Sequence, residues 1–460
     1  MVRLLALSSY FYQSFAAVLL IFALGYLLEP AQYTTYSLMI AVSQFAAVVA
    51  FEWIQLAGQR FLSSSNGGEA VRLRSSLFSA LALSALALAV IAGFGAVARA
   101  ESASLIGLGL AVTIVQGATD LHYMTIRVSG RLAPASVLMI CRATLLLLGA
   151  VVGAKLYGTA ESALLGLLAG HIFGLAAGSI VDRKLLGWSP RQTRRSDLSG
   201  FARYGMLASG ASVVHLSVPI LIRFLIIGRF GAASSSSAGF SMALDLLQRP
   251  FSVLLSAIHT ISYPDVVSRF DNDTRAAARE AATDLFDLAM CSTAIMLGGL
   301  IAFIPDAARL FVPPALAPSF VAVTPSVAIF YFLHTHLQAT LALVPHLEKA
   351  ATRLIVVAAC QLALIAAFIL VGGAAGLGAT ATLLSAGLAT GLVIGFASGP
   401  TVRFGAYPRP GLALSAIIGA ALVAALVLLP SEPLPWLLAK AAAAAFVTVA
   451  IAWAGNLLKL

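Results

Sequence analysis

The chain is a succession of apolar runs of about 20 residues or more, each set off by charges and turn residues. A helix rising about 1.5 Å per residue needs that length to cross a hydrocarbon core of about 30 Å, and it satisfies its own backbone polar groups on the way. The runs predict spans at residues 4–28, 36–60, 76–98, 104–125, 135–154, 161–181 and 204–228. Further spans are expected at 234–262, 284–305, 319–345, 352–372, 376–400, 411–430 and 436–456. The expected fold class is an all-α membrane protein with about 14 transmembrane helices. Composition agrees: 60% of the residues are hydrophobic and 10% charged, a balance that no water-soluble fold uses.

Of the 28 Lys and Arg, three lie inside spans and only Arg99, Lys155, Arg229, Arg309 and Lys440 fall on one set of alternate loops. The rest fall on the other set, and cytoplasmic loops retain positive charge during insertion. Both termini are therefore expected in the cytoplasm, with the first apolar run retained as a helix, since no small-residue cleavage motif follows it. The longest loop, 182–203, is also the most basic, carrying Arg183, Lys184, Arg191, Arg194, Arg195 and Arg203. It reads as a linker on anionic headgroups, dividing residues 1–181 from 204–400 and a tail at 401–460. The loop at 264–283, mixed in charge, predicts a solvated helical hairpin. Because the net charge of +10 is spread over short loops rather than gathered on one face, nucleic acid is not an expected partner.

Enzyme motifs are missing: the chain contains no GxxxxGK[ST], HExxH or GxSxG. Cys141, Cys291 and Cys360 sit inside apolar runs without CxxC spacing, so neither a disulfide framework nor a metal site is expected, and no cofactor is implied. The chain is expected not to be an enzyme. The alternative from that class is a membrane glycan polymerase or acyltransferase working from residues at helix ends.

A charge at mid-bilayer costs about 2.5–3.5 kcal/mol even on the lenient insertion scale, so ionisable residues inside spans are functional candidates. Arg142, Arg223 and Arg249 qualify; Arg249 is the deepest, while Arg142 and Arg223 are within snorkelling reach of the inner and outer interfaces. Asp245 precedes Arg249 by one helical turn, which predicts an ion pair. Gln44, Glu52, Gln55 and Gln59 form a polar stripe on the second helix, and Glu52 is the better candidate for a protonatable coupling site. Asp120, near a helix end, reads as a snorkelled interfacial carboxylate. Tyr331, His334 and Gln338 share a face of the tenth span, which makes them cavity-lining candidates.

At the register that sets Tyr36 on Phe240, Ser37 falls on Ser241 and Gln44 on Gln248, a pattern consistent with a parallel repeat of six helices. The run Leu28-Glu29-Pro30-Ala31-Gln32-Tyr33-Thr34-Thr35-Tyr36-Ser37-Leu38, with Gly58-Gln59-Arg60-Phe61 after it, resembles the polysaccharide transporter family. That family carries Pro-x-x-Tyr-Gly-x-Tyr-Ser here, and Thr34 stands in place of the glycine. A second patch, Gly239-Phe240-Ser241-Met242-Ala243-Leu244-Asp245-Leu246-Leu247-Gln248-Arg249-Pro250 with Tyr263-Pro264, is similar to the family's eighth helix.

The resemblance implies two six-helix lobes around a central cavity, two appended C-terminal helices and alternating access. It implies a bacterial inner-membrane flippase for polyprenyl-diphosphate-linked oligosaccharide repeat units, working among membrane lipids beside a glycan polymerase and a chain-length regulator. Arg142, Arg223 and Arg249 would then contact the diphosphate, which guanidinium pairs bidentately, and Glu52 or Asp245 would couple the cycle to an ion gradient. A multidrug exporter of the same superfamily is the other reading; cationic drugs favour an acidic cavity, and intramembrane arginine prevails here.

Overall fold

The computed structural model describes residues 2–62, 67–98, 100–181, 188–348, 350–430 and 434–454. Arg99 and the first residues of the basic loop, Arg183 and Lys184 among them, lie outside the described residues. Every regular element described is helical, and among the described residues 13 helices are long and apolar enough to cross a membrane. The chain is a multi-pass membrane protein. Contacts group it into two compact units, Met1–Phe224 with Ala232–Ser234, and Leu225–Gly231 with Ser235–Leu460.

The first unit contains α1 (Val2–Leu27), α2 (Pro30–Ala47), α3 (Trp53–Leu62), α4 (Gly67–Ala98), α5 (Ala103–Val128), α6 (Leu132–Tyr157) and α7 (Ala160–Val181), with most of α8 (Arg195–Phe230). Pro30 opens α2, where its missing N–H costs nothing because first-turn donors lack helical partners. The family-like segment therefore lies inside the helix, with Tyr33, Thr34, Tyr36 and Ser37 buried. Between α2 and α3 the backbone takes a π-helical turn, Val48–Glu52. Each such turn shifts the helical register, so the predicted stripe breaks: Gln44 is not carried onto the face of Gln55 and Gln59.

Helices α6 and α7 meet backbone to backbone. A Cβ on Gly149 would strike the Gly166 carbonyl, and one on Gly166 would strike that of Gly149, so only glycine permits this approach. At another point of the unit, Asp197 in the first turn of α8 accepts from Arg72 at 2.5 and 2.6 Å and from Ser76 at 2.9 Å, tying α8 to α4.

The second unit contains α9 (Ser235–Asn272), α10 (Arg275–Phe311), α11 (Ala317–Thr335), α12 (Leu343–Leu347), α13 (Ala351–Ala374), α14 (Ala379–Ala397), α15 (Gly399–Phe404), α16 (Pro410–Ala425) and α17 (Leu434–Ala454). The expected span at 234–262 forms as α9 but is not among the 13, because its serines, Asp245, Gln248 and Arg249 make it too polar. Protein encloses much of that polarity: Ser237 to Leu244 are all buried. The predicted hairpin is present as the turn from α9 to α10, where Thr274 caps α10 by accepting from the Ala277 N–H at 3.2 Å. Arg409, just before α16, clamps that helix to α10 by donating to Asp287 and Asp284 at 2.7 Å each.

Candidate functional site

Four helices of the first unit enclose a polar cavity of about 320 Å³. Helix α1 contributes Gln13; α3 contributes Gln55 and Gln59; α5 contributes Thr119, Asp120, Tyr123, Met124 and Arg127; α6 contributes Leu138, Met139 and Arg142. Helical spacing explains the convergence. Gln55 and Gln59 are one turn apart, Asp120, Tyr123 and Arg127 follow at i, i+3 and i+7, and Leu138 and Arg142 again differ by one turn. The volume falls at the small end of the range for ligand sites.

The charges around this space are partnered. Arg142 forms an ion pair with Asp120 across α6 and α5. Arg127, in the last turn of α5, donates to the Tyr10 hydroxyl at 3.0 Å, and Tyr10 in turn stands 3.5 Å from the Tyr123 hydroxyl. Behind Arg142, α7 passes close enough that a Cβ on Gly174 would lie 3.4 Å from the Arg142 Cγ, which confines the arginine stem and aims its head at the cavity. The lining thus holds two guanidiniums, one carboxylate and three neutral amides.

This arrangement corrects two expectations. Asp120 is not a solitary interfacial carboxylate but the counter-ion of Arg142, and Arg142 does not snorkel away but is held in place by that partner. Arg223 likewise does not reach for the outer interface: it is buried, and its Nη1 donates to Ser37 on α2. The other sites are distributed. Glu52 is half-buried near Ser212 of α8 and Gln44 is exposed, and neither lines the cavity. Asp245 and Arg249 lie half-buried, one turn apart on α9.

Tyr331, His334 and Gln338 do come together, inside the second unit. His334 is contacted by the Gln338 amide at 2.7 Å and the Gln361 amide at 2.8 Å, with the Tyr331 ring edge-on. Close by, His336 bonds Thr293 at 2.8 Å and Thr340 at 2.9 Å, within a second π-helical turn, His336–Thr340. Among the described residues no group of His, Cys, Asp or Glu is arranged to hold a metal ion.

No protein-family model matches the chain, and no curated protein matches it. Solved structures do. The lipid II flippase MurJ, in an inward closed conformation, aligns with a TM-score of 0.76 at 13% identity, over 99% of this chain and 100% of that one. The MATE multidrug transporter DinF-BH aligns with a TM-score of 0.61 at 17% identity, over 87% and 95%. A multidrug resistance MATE family transporter of the MOP superfamily, in an inward-facing conformation, aligns at 0.56 and 12%, over 90% and 94%.

The chain has the MurJ and MATE fold. This is the fold expected from the resemblance, and the solved structures that share it are described as a lipid II flippase and multidrug transporters. Within the MurJ and MATE fold, the residues that sequence reasoning left out of the site are Gln13, Thr119, Asp120, Tyr123 and Arg127. Their signal is the polar spacing of Asp120, Tyr123 and Arg127 along α5, which the assignment of Arg127 to a topogenic loop obscures.

Proposed function

We propose that this chain is a flippase that carries a lipid-linked oligosaccharide, attached through a diphosphate, across the bacterial inner membrane for surface or exopolysaccharide synthesis. The observation that carries the reading is the cavity of the first unit, in which Arg127 and Arg142 face three glutamines. Guanidinium groups pair phosphate oxygens bidentately, and neutral amides suit sugar hydroxyls. Arg223 and Arg249 extend the set of candidate phosphate contacts beyond this cavity, and Glu52 and Asp245 are the candidate coupling carboxylates. A glycan polymerase and a chain-length regulator are the protein partners this role would require.

The MATE likeness equally supports a drug exporter as far as the fold goes. The cavity favours an anion instead, because its two arginines outnumber its one aspartate. In a deletion strain, lipid-linked single repeat units are expected to accumulate on the inner leaflet. Accumulation on the outer leaflet would point to a polymerase, and drug sensitivity with unchanged polysaccharide would point to an exporter.

A further inference from the structure

Asp120 and Arg142 sit at the cavity wall rather than in a sealed core, with side chains 28% and 13% exposed. An arginine in the middle of a membrane helix needs a counter-ion whenever no ligand supplies one. Asp120 fills that position, and it does so from a helix face that also carries Tyr123 and Arg127 into the same space. His171 on α7 also lies within the field of Arg142. The groups facing the pair that could receive a displaced carboxylate are hydrogen-bond donors: Gln13, Gln55, Gln59 and Tyr123.

Resting on the flippase reading, we infer that Asp120 is an internal competitor for the phosphate group: its carboxylate holds the Arg142 guanidinium until an arriving diphosphate takes its place. No covalent bond changes. The phosphate oxygens replace the carboxylate oxygens on Arg142, Arg127 adds the second positive charge, and Asp120 turns to the amide donors. A site already occupied by its own anion binds more weakly than a bare one, by the fraction of time it is free. That weakness suits transport, because the returning carboxylate expels the ligand after the crossing.

The test is titration of inorganic pyrophosphate, then of polyprenyl diphosphate in micelles, into the purified full-length protein. D120N is expected to bind about tenfold more tightly than wild type, with slower release, while the D120N/R142Q double variant loses binding. Equal or weaker binding by D120N, with binding lost in the double variant, overturns the exchange and leaves the flippase reading standing. No binding by either wild type or D120N overturns both. The same gain with both ligands assigns the anion to a lipid headgroup, and a gain with pyrophosphate alone assigns it to a soluble diphosphate; either supports the exchange. If D120N does not fold, wild type labelled with carbon-13 aspartate decides the matter. Pyrophosphate must then shift a carboxylate infrared band that is absent from D120E, and no such band overturns the proposal.

Discussion

Lys440 on α17 donates to Asp306 on α10 at 2.8 Å; its side chain is 1% exposed, and the ammonium lies over the Phe303 ring as well. Asp306 also accepts from Arg309 at 3.1 Å, so one buried carboxylate serves two cations. Removing the carboxylate strands a buried charge, which costs about 3–5 kcal/mol, whereas replacing the whole pair with apolar side chains is close to neutral. D306N is therefore expected to lower the melting temperature of the purified protein clearly, and D306L/K440M to restore most of it. Equal melting of D306N and wild type would show that the pair does not anchor α17.

Ser37 predicts a smaller loss. Its hydroxyl accepts from the buried Arg223, so S37A removes one hydrogen bond to a buried charge at a cost of about 1.5–3 kcal/mol. Thermal unfolding in detergent measures it, and an unchanged midpoint would mean that the guanidinium finds another acceptor at no cost.

The close approach of α6 and α7 tolerates no side chain at Gly166, where a Cβ would meet the Gly149 carbonyl. G166V must push the helices apart, an overpacking penalty of about 1–3 kcal/mol or more. Lower yield of folded protein and a lower midpoint are expected from G166V. G95V is the control, because Gly95 on α4 has open space around its Cβ position.

The glutamines give a functional prediction. Q55L and Q59L keep the size of the cavity lining but remove its amides, so polysaccharide export is expected to fall several-fold while the protein level stays at wild type. Immunoblotting of membranes alongside the export assay separates the two effects.

Much of this architecture was legible because lipid imposes a simple rule: long apolar runs become helices, and the runs ending near Leu27, Val128 and Tyr157 are bounded as expected. Helix α9 broke the rule in composition only, since burial of Ser237 to Leu244 within its unit excuses its polarity. The π-helical turn before α3 was not legible. It belongs to packing, with the Phe51 ring seated where a Cβ on Gly117 of α5 would stand. Nor was the partnership of Asp120 with Arg142, because a contact between helices depends on their relative rotation, which spacing within one helix cannot reveal. Arg142 itself was legible, as a charge where lipid forbids one.

Translocation of a fluorescent polyprenyl-diphosphate-linked sugar in proteoliposomes, read by protection from an impermeant reagent, decides whether the chain is a flippase. Wild-type protein is predicted to move the lipid between leaflets. The D120N/R142Q variant, which removes both charges of the pair together, is predicted to insert and melt like wild type yet fail to move it. Translocation by that variant at the wild-type rate would remove the Asp120–Arg142 pair from the transport path, and none by wild type would overturn the flippase assignment.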